Sequence, residues 1–267
     1  MFTFSRLCFF FCLMYIYLYD NMLKQKKFAS IIQQMETRLT DFGIAGKILR
    51  LQNLTNAQAI IEQELDRGVT TVVIVGDDST FGHILSRAAT SQVLFGFLPV
   101  GSNNSIAKVL GIPIGVDACD VLSQRRKVRL DVGWFNNRYF ISRLHIPPHA
   151  ITVEYDEKFQ VSCSFGTMEL VVCNLQPFFW KGTKHQRDVV VHPQDGKLEA
   201  FLRPVIGRGV IRDKFDEPSI FPFEEMIVKS ETPFVVEADG KESKETKIKI
   251  RLAKRRIEMI VGRDRKF

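Results

Sequence analysis

Cysteine, histidine and tryptophan are scarce, at five, five and two of 267 residues. Cys8, Cys12, Cys119, Cys163 and Cys173 are scattered, odd in number and without a Cys-x-x-Cys pair, and His83, His145, His149, His185 and His192 show no ligand spacing. These absences argue against a disulfide framework and against a structural zinc site, and make a reducing compartment the simpler expectation. No internal repeat or low-complexity segment is visible, and no apolar run reaches the ~18 residues of a membrane-spanning helix. With 45% hydrophobic and 25% charged residues, a disordered tail, a collagenous repeat and a multi-span membrane protein are excluded.

What is present suffices for one or two packed domains. The 37 Lys and Arg against 30 Asp and Glu leave a formal charge of +7, which favours anionic partners without naming one. Near the start, Leu7 to Tyr19 forms an apolar run behind Arg6, superficially like a signal peptide, but Tyr19-Asp20-Asn21-Met22 offers no small-residue cleavage site. The aromatic, β-prone stretch Met14 to Tyr19 is read as a buried first strand, with a membrane-directing segment as the alternative. Met14 is then a candidate start, and residues 1–13 an extension that the fold does not need.

From Asn21 the pattern turns helical through Phe28, Ile31, Ile32, Met35, Leu39 and Phe42, with Gly43 as a stop. Lys47 to Leu51 is a short strand. Thr55 and Gln58 form a capping-box signature for a second helix that closes at Gly68. The β-branched run Thr71 to Val75 reads as a strand buried on both faces, and it empties into Gly76-Asp77-Asp78-Ser79-Thr80. A helix over Phe81–Ala89, a strand over Val93–Leu98, the loop Gly101-Ser102-Asn103-Asn104 and a short helix over Ser105–Leu110 follow. This alternation predicts an α/β unit over residues 14–126, an open and mainly parallel sheet with helices on both faces.

From Lys127 the pattern becomes all-β. Arg129–Trp134 and Arg138–Leu144 flank Asn136-Asn137, and Ile151–Tyr155 and Lys158–Cys163 flank Asp156-Glu157, both hairpin signals. Further strands are expected at Met168–Cys173, Lys197–Arg203, Glu225–Lys229, Phe234–Glu237, Lys247–Leu252 and Arg256–Val261. Residues 127–267 are therefore expected to form a β-sandwich.

Two polar loops following neighbouring strands of one open sheet lie where such sheets bind ligands, outside the strands' carboxyl ends. Gly76 permits close backbone approach, Thr80 supplies a hydroxyl, and the following helix start supplies free amides for an anion. Asp78 is the nearby group able to act as a base or to bind a metal ion. An ordinary strand-to-helix turn with Asp and Ser caps remains the plain alternative.

Val73-Ile74-Val75-Gly76-Asp77-Asp78-Ser79-Thr80-Phe81 resembles the strand and Gly-Gly-Asp-Gly-Thr loop of diacylglycerol kinases, sphingosine-type lipid kinases and NAD kinases. The segment from Gly96 to Pro113 is similar to their Gly-Ile-Leu-Pro-Leu-Gly-Thr-Gly-Asn block, Arg129-Leu130-Asp131-Val132-Gly133 to their Asp-x-Gly strand, and Asp195-Gly196-Lys197-Leu198 and Ala238-Asp239-Gly240-Lys241 to two later Asp-Gly motifs. The resemblance implies an α/β domain plus β-sandwich that transfers phosphate from ATP with Mg2+. It makes Gly76, Asp77, Asp78, Ser79, Thr80, Gly101, Ser102, Asn103 and Asn104 candidates around the nucleotide, Asp78 and Asp239 candidates for catalysis, and Asp195 a metal candidate. Both Asp239 and Asp195 also suit plain Asp-Gly turns.

Asp77 and Ser79 stand where the family carries loop glycines, Asn103 and Ser105 depart from its second loop, and Lys241 reverses the charge of its Asp-Gly-Glu motif. The leading expectation is a cytoplasmic lipid kinase-like phosphotransferase acting on a hydroxyl such as that of diacylglycerol. A catalytically decayed relative that binds a ligand or partner, and an NAD kinase, are the alternatives. Lys247, Lys249 and Arg251 alternate with apolar residues, so with Lys254, Arg255 and Arg256 they form either a solvated face or a patch for anionic membrane lipid. Expected partners are a nucleotide and a lipid or other hydroxyl-bearing substrate, with peripheral membrane contact and a homodimer as further options; no nucleic acid is expected.

Overall fold

The structure is a computed structural model and describes residues 14–51, 56–156, 159–162, 166–175, 191–207, 209 and 213–267. The N-terminal extension, the Thr55 capping role, Cys8, Cys12, Cys163 and His185 lie outside the described residues. In chain order the first elements are β1 (Tyr15–Asp20), α1 (Ala29–Asp41), β2 (Lys47–Leu51), α2 (Ala57–Asp66), β3 (Thr71–Gly76), α3 (Asp78–Ala88), β4 (Leu94–Pro99), α4 (Ser105–Val109), α5 (Ala118–Gln124) and β5 (Lys127–Leu130). Short strands follow: β6 (Gly133–Phe135), β7 (Arg138–Phe140), β8 (Arg143–His149), β9 (Thr152–Tyr155), β10 (Phe159–Ser162) and β11 (Met168–Cys173). The chain then runs through β12 (Leu198–Gly207), β13 (Lys214–Phe215), β14 (Ser219–Phe223), β15 (Glu225–Ala238), β16 (Lys241–Leu252) and β17 (Ile257–Ile260).

The first sheet has six strands in the order β2-β1-β3-β4-β17-β5, all neighbours parallel except β17 with β5. Every residue of β3 and β4 is buried, and so is β1 up to Tyr19, which requires helices on both faces. The pair α1 and α5 and the pair α2 and α3 provide them. The tyrosines of β1 are tolerated inside because their hydroxyls find partners: Tyr17 donates to the Ile44 carbonyl at 2.5 Å and Tyr19 to Glu36 at 3.2 Å. Buried Ile32, Met35 and Leu39 recur on the core face of α1, but the helix starts only at Ala29; two 3-10 turns over Asn21–Phe28 precede it because the Asp20 carboxylate caps the Met22 amide.

The second unit is antiparallel, with strands hydrogen-bonded along the path β13-β12-β11-β8-β15-β16-β6-β7 and with β14, β9 and β10 branching from it. Its core gathers alternate side chains such as Leu144, Ile146, Val153, Leu170, Val172, Leu202, Val228, Val236, Ile248 and Ile250. Asn136 and Asn137 both take positive φ, as do Asp239 and Gly240, which makes two tight two-residue hairpins whose twist suits the flanking strands. The fold class is thus the one expected, a mainly parallel α/β sheet plus an all-β unit.

Sheet membership departs from the linear division at residue 127. The single strand expected at Arg129–Trp134 is broken at Asp131 and Val132: β5 stays in the first sheet and β6 joins the second. The last strand, β17, returns to the first sheet between β4 and β5. Buried Asp131 holds this crossing, ion-paired to Arg256 at 2.7 Å while accepting the Gly196 amide at 2.9 Å. The strands expected separately at Glu225–Lys229 and Phe234–Glu237 are one, β15, whose register slips between Lys229 and Phe234, where Pro233 has no amide to give.

Candidate functional site

The strand order places β2 on one side of β1 and β3 on the other, so the direction in which successive strands are added reverses between β1 and β3, and the carboxyl ends of these parallel strands form the crevice where open α/β sheets bind ligands. Three segments meet there: Asp20 with Met22 after β1, Gly76 to Thr80 after β3, and Gly101 to Asn104 after β4. The two expected loops adjoin. Val100 N donates to the Gly76 carbonyl at 2.8 Å and Asp78 N to the Asn103 carbonyl at 3.0 Å. Gly101 is the left-handed position of its loop, at φ +117, and a Cβ there would lie 3.2 Å from the Met22 methyl and 3.6 Å from the Asp77 Cβ.

Asp77 caps α3. Its Oδ1 accepts the Thr80 amide at 3.1 Å and lies 3.2 Å from the Thr80 hydroxyl, which donates to Asp20 Oδ2 at 2.5 Å. Two carboxylates thus converge on one hydroxyl, and one of the helix-start amides expected to face an anion is already occupied. The helix expected from Phe81 begins at Asp78 because this cap is in place. Gly76 is required here: an added Cβ would sit 2.8 Å from the Thr80 hydroxyl oxygen.

Asp78 reaches across to the second loop. Its buried carboxylate accepts Ser105 N at 2.6 Å, Ser105 Oγ at 2.7 Å and Ile106 N at 3.2 Å, which caps α4 and brackets the two loops together. Burial raises its pKa, opposed by those bonds from Ser105 and Ile106. Ser105, which stands where the family carries Asp, is thereby the hydroxyl partner of Asp78. Asn104 is buried and donates to the Gly101 carbonyl at 2.9 Å, closing the loop on itself, while Ser79, Ser102 and Asn103 are exposed at the crevice rim.

Asp239 lies elsewhere, against the middle of α3. Its carboxylate accepts Ile141 N at 2.7 Å, Ser142 N at 3.0 Å and Arg143 N at 3.4 Å, and a Cβ on Gly82 would lie 3.1 Å from the Asp239 Cβ. Burial raises its pKa against the pull of those amides. Its lone pairs are committed to pinning the 141–143 turn to the hairpin between β15 and β16. Asp195 is exposed, accepts the Lys197 amide at 3.0 Å, and neighbours Asp131 through Gly196. Leu130 pairs with Ile257, and the next residue, Glu258, pairs with Leu94, the first residue of β4, so Asp131 and Asp195 sit by the amino edge of the parallel strands, away from both loops. Among the described residues no group of three or more His, Cys, Asp or Glu side chains is arranged to hold a metal ion.

Asp20 is the site residue that sequence reasoning missed. Its signal was positional only: the last residue of the strand beside the switch point, which has meaning once strand order is known. Among the described residues no helix is long and apolar enough to cross a membrane, and Cys119 and Cys173 are buried free thiols.

Residues 17–135 match the family described as Diacylglycerol kinase catalytic domain. A diacylglycerol kinase of Staphylococcus saprophyticus is 21% identical over 128 residues, 47% of this chain and 42% of that protein. One of Staphylococcus haemolyticus is 29% identical over 84 residues, 30% of this chain and 26% of that protein. The matched stretches thus span less than half the length of these relatives. The crystal structure of a diacylglycerol kinase from Bacillus anthracis superposes with a TM-score of 0.74 at 16% identity, covering 94% of this chain and 98% of that one, a likeness of fold. Three of the five sequence blocks that carried the resemblance, Val73–Phe81, Gly96–Pro113 and Arg129–Gly133, fall inside the matched region, and the resemblance is borne out there; the two at Asp195 and Asp239 lie outside it.

Proposed function

From the match of residues 17–135 to the family described as Diacylglycerol kinase catalytic domain, we propose that the chain binds a magnesium–nucleotide complex across the β1/β3/β4 crevice and transfers its terminal phosphoryl group to a hydroxyl, a lipid hydroxyl first among the acceptors. The observation that carries the reading is the bracket of Asp78 between the loops, which holds the Gly76 and Gly101 bends side by side at the switch point.

The crevice is acidic, with Asp20, Asp77 and Asp78, and Asp77 occupies the Thr80 amide. That chemistry suits a nucleotide accompanied by its cation better than a bare polyphosphate. Asp20, whose carboxylate already accepts the Thr80 hydroxyl, would help to hold magnesium together with phosphate oxygens, and the ion would neutralise charge that develops on them. Asp78 serves by fixing the two loops, and the exposed backbone of Ser79, Ser102 and Asn103 lines the approach. Asp239 positions the 141–143 turn beside α3. In this reading Asp195 takes no part at the crevice.

The test is titration of the purified chain with ATP in the presence and absence of magnesium, followed by phosphate transfer to a panel headed by diacylglycerol. Magnesium-dependent binding and transfer are expected; no binding at millimolar nucleotide refutes the reading. The occupied Thr80 amide favours a second reading, a binding protein that has lost turnover. Gain of turnover on restoring glycine at Asp77 and Ser79 and Glu at Lys241 would establish it, and robust wild-type turnover would eliminate it.

A further inference from the structure

A cavity of about 360 Å³ opens at the seam between the two units, one to two helical turns along α3 from the contact of Gly82 with Asp239. Its cations come from three separate elements: Arg87 on α3, Arg138 on β7 and Lys241 at the start of β16. Ser86, Thr90 and Tyr139 add hydroxyls, and no carboxylate is among the described residues that line it.

Some comparable groups elsewhere are ion-paired, Arg256 with Asp131, Arg203 with Glu169 and Lys249 with Glu225. Arg87, Arg138 and Lys241 have no ion pair among the described residues. Arg87 is half-buried and its guanidinium is steadied by donating to the His83 carbonyl at 2.7 Å, which leaves its other donors for the cavity. Burial, and then the proximity of Arg87 and Arg138, lowers the pKa of Lys241, so the three charges sense one another. Like charges gathered without a counter-ion are unfavourable unless an anion enters, and two guanidinium forks plus an ammonium match the oxygens of one phosphate group. The volume fits one headgroup or small phosphorylated alcohol rather than an extended polyanion.

We propose that this seam cavity binds the phosphate group of a phosphate-bearing alcohol, either a phospholipid headgroup or a soluble phosphorylated alcohol, through Arg87, Arg138 and Lys241. As an acceptor subsite it rests on the phosphotransferase reading above. It accounts for the charge reversal at Lys241: a site for an anionic acceptor needs a cation where a neutral acceptor does not.

The test measures binding without nucleotide, so that it does not depend on turnover. Glycerol 3-phosphate is titrated by calorimetry, and vesicles of phosphatidylglycerol in phosphatidylcholine are tested by co-sedimentation, with wild type, Arg138→Glu, Lys241→Glu and, as a control at the far end of the antiparallel sheet, Lys214→Glu. All four chains are first checked for matching thermal unfolding. At least one form binds the wild type and the control, and each cavity variant weakens it about tenfold or more. Response to vesicles alone assigns the phosphate to a lipid headgroup, and response to glycerol 3-phosphate assigns it to a soluble alcohol. No binding of either form, or binding that both cavity variants retain, overturns the proposal. Phosphate binding without ATP-dependent transfer to any acceptor refutes the phosphotransferase reading and leaves the cavity standing. Transfer to glycerol 3-phosphate or phosphatidylglycerol that Lys241→Glu leaves unchanged or improves overturns the acceptor assignment alone.

Discussion

Replacing Asp77 by glycine should tighten nucleotide binding while barely affecting the fold. The Asp77 Oδ1 lies 3.1 Å from the Thr80 amide, so a phosphate oxygen that takes that amide must first displace the carboxylate. Displacement forfeits an N-cap, about 1 kcal/mol. The displaced carboxylate then remains near the incoming phosphate; at a separation of roughly 4 Å their repulsion is about 1 kcal/mol in bulk water and about 4 kcal/mol at an intermediate effective dielectric. Asp77 is half-buried, which places the repulsion between these limits, at roughly 2 kcal/mol. Together the terms amount to about 2 to 3 kcal/mol, or roughly 30- to 150-fold in affinity. Glycine itself caps α3 at a cost of only a few tenths of a kcal/mol, so thermal unfolding should move by no more than about 1 to 2 °C. Calorimetric titration with magnesium and a non-hydrolysable ATP analogue measures the gain, and repeating it at high salt should shrink the electrostatic share. Asp77→Asn keeps the cap and removes the charge, so it should recover only the repulsion. An Asp77→Gly chain that binds the analogue no more tightly than wild type refutes the reasoning, and with it the idea that nucleotide phosphate uses the start of α3.

Three further outcomes follow from contacts outside the crevice. Asp239→Ala leaves the Ile141, Ser142 and Arg143 amides without their acceptor, so urea denaturation should register a loss of about 2 to 4 kcal/mol; an effect below about 0.5 kcal/mol would show that water replaces the carboxylate freely. Gly262→Ala would place a Cβ 1.7 Å from the Gly111 carbonyl oxygen, just after β17 and beneath the end of α4, so a marked drop in melting temperature is expected, with wild-type stability counting against this packing. Burial, with Asp195 next, pushes Glu199 up to about 7 from its ordinary 4.5. The folded chain therefore holds this proton better than the unfolded chain does, and the contribution is present below pH 4.5, fades as pH rises towards 7, and is constant above that. Denaturation midpoints measured across that window should fall with rising pH in wild type and flatten in Glu199→Gln; identical slopes would remove Glu199 as the cause.

The sequence by itself determined the elements and the class of the fold. Uninterrupted β-branched and aromatic runs such as Thr71 to Val75 can be satisfied only by burial on both faces, and Asn136-Asn137 and Asp239-Gly240 can take the positive φ of a tight hairpin; these are local properties, legible along the chain. The two loops were legible for the same reason, since each follows a strand and carries the glycine its turn requires. Partnership was a matter for tertiary structure. A strand pattern does not say which sheet it enters, so the split at Asp131 and the return of β17 between β4 and β5 emerge only from long-range pairing. Nor does a carboxylate's place in a motif say what it touches. Asp78 is spent on Ser105 and Ile106, Asp239 on the 141–143 turn and Asp77 on Thr80, while Asp20, Arg87, Arg138 and Lys241 acquire meaning from neighbours distant in sequence. Hydrogen bonds and charges act over a few ångströms of space, and chain order fixes that proximity only through the fold.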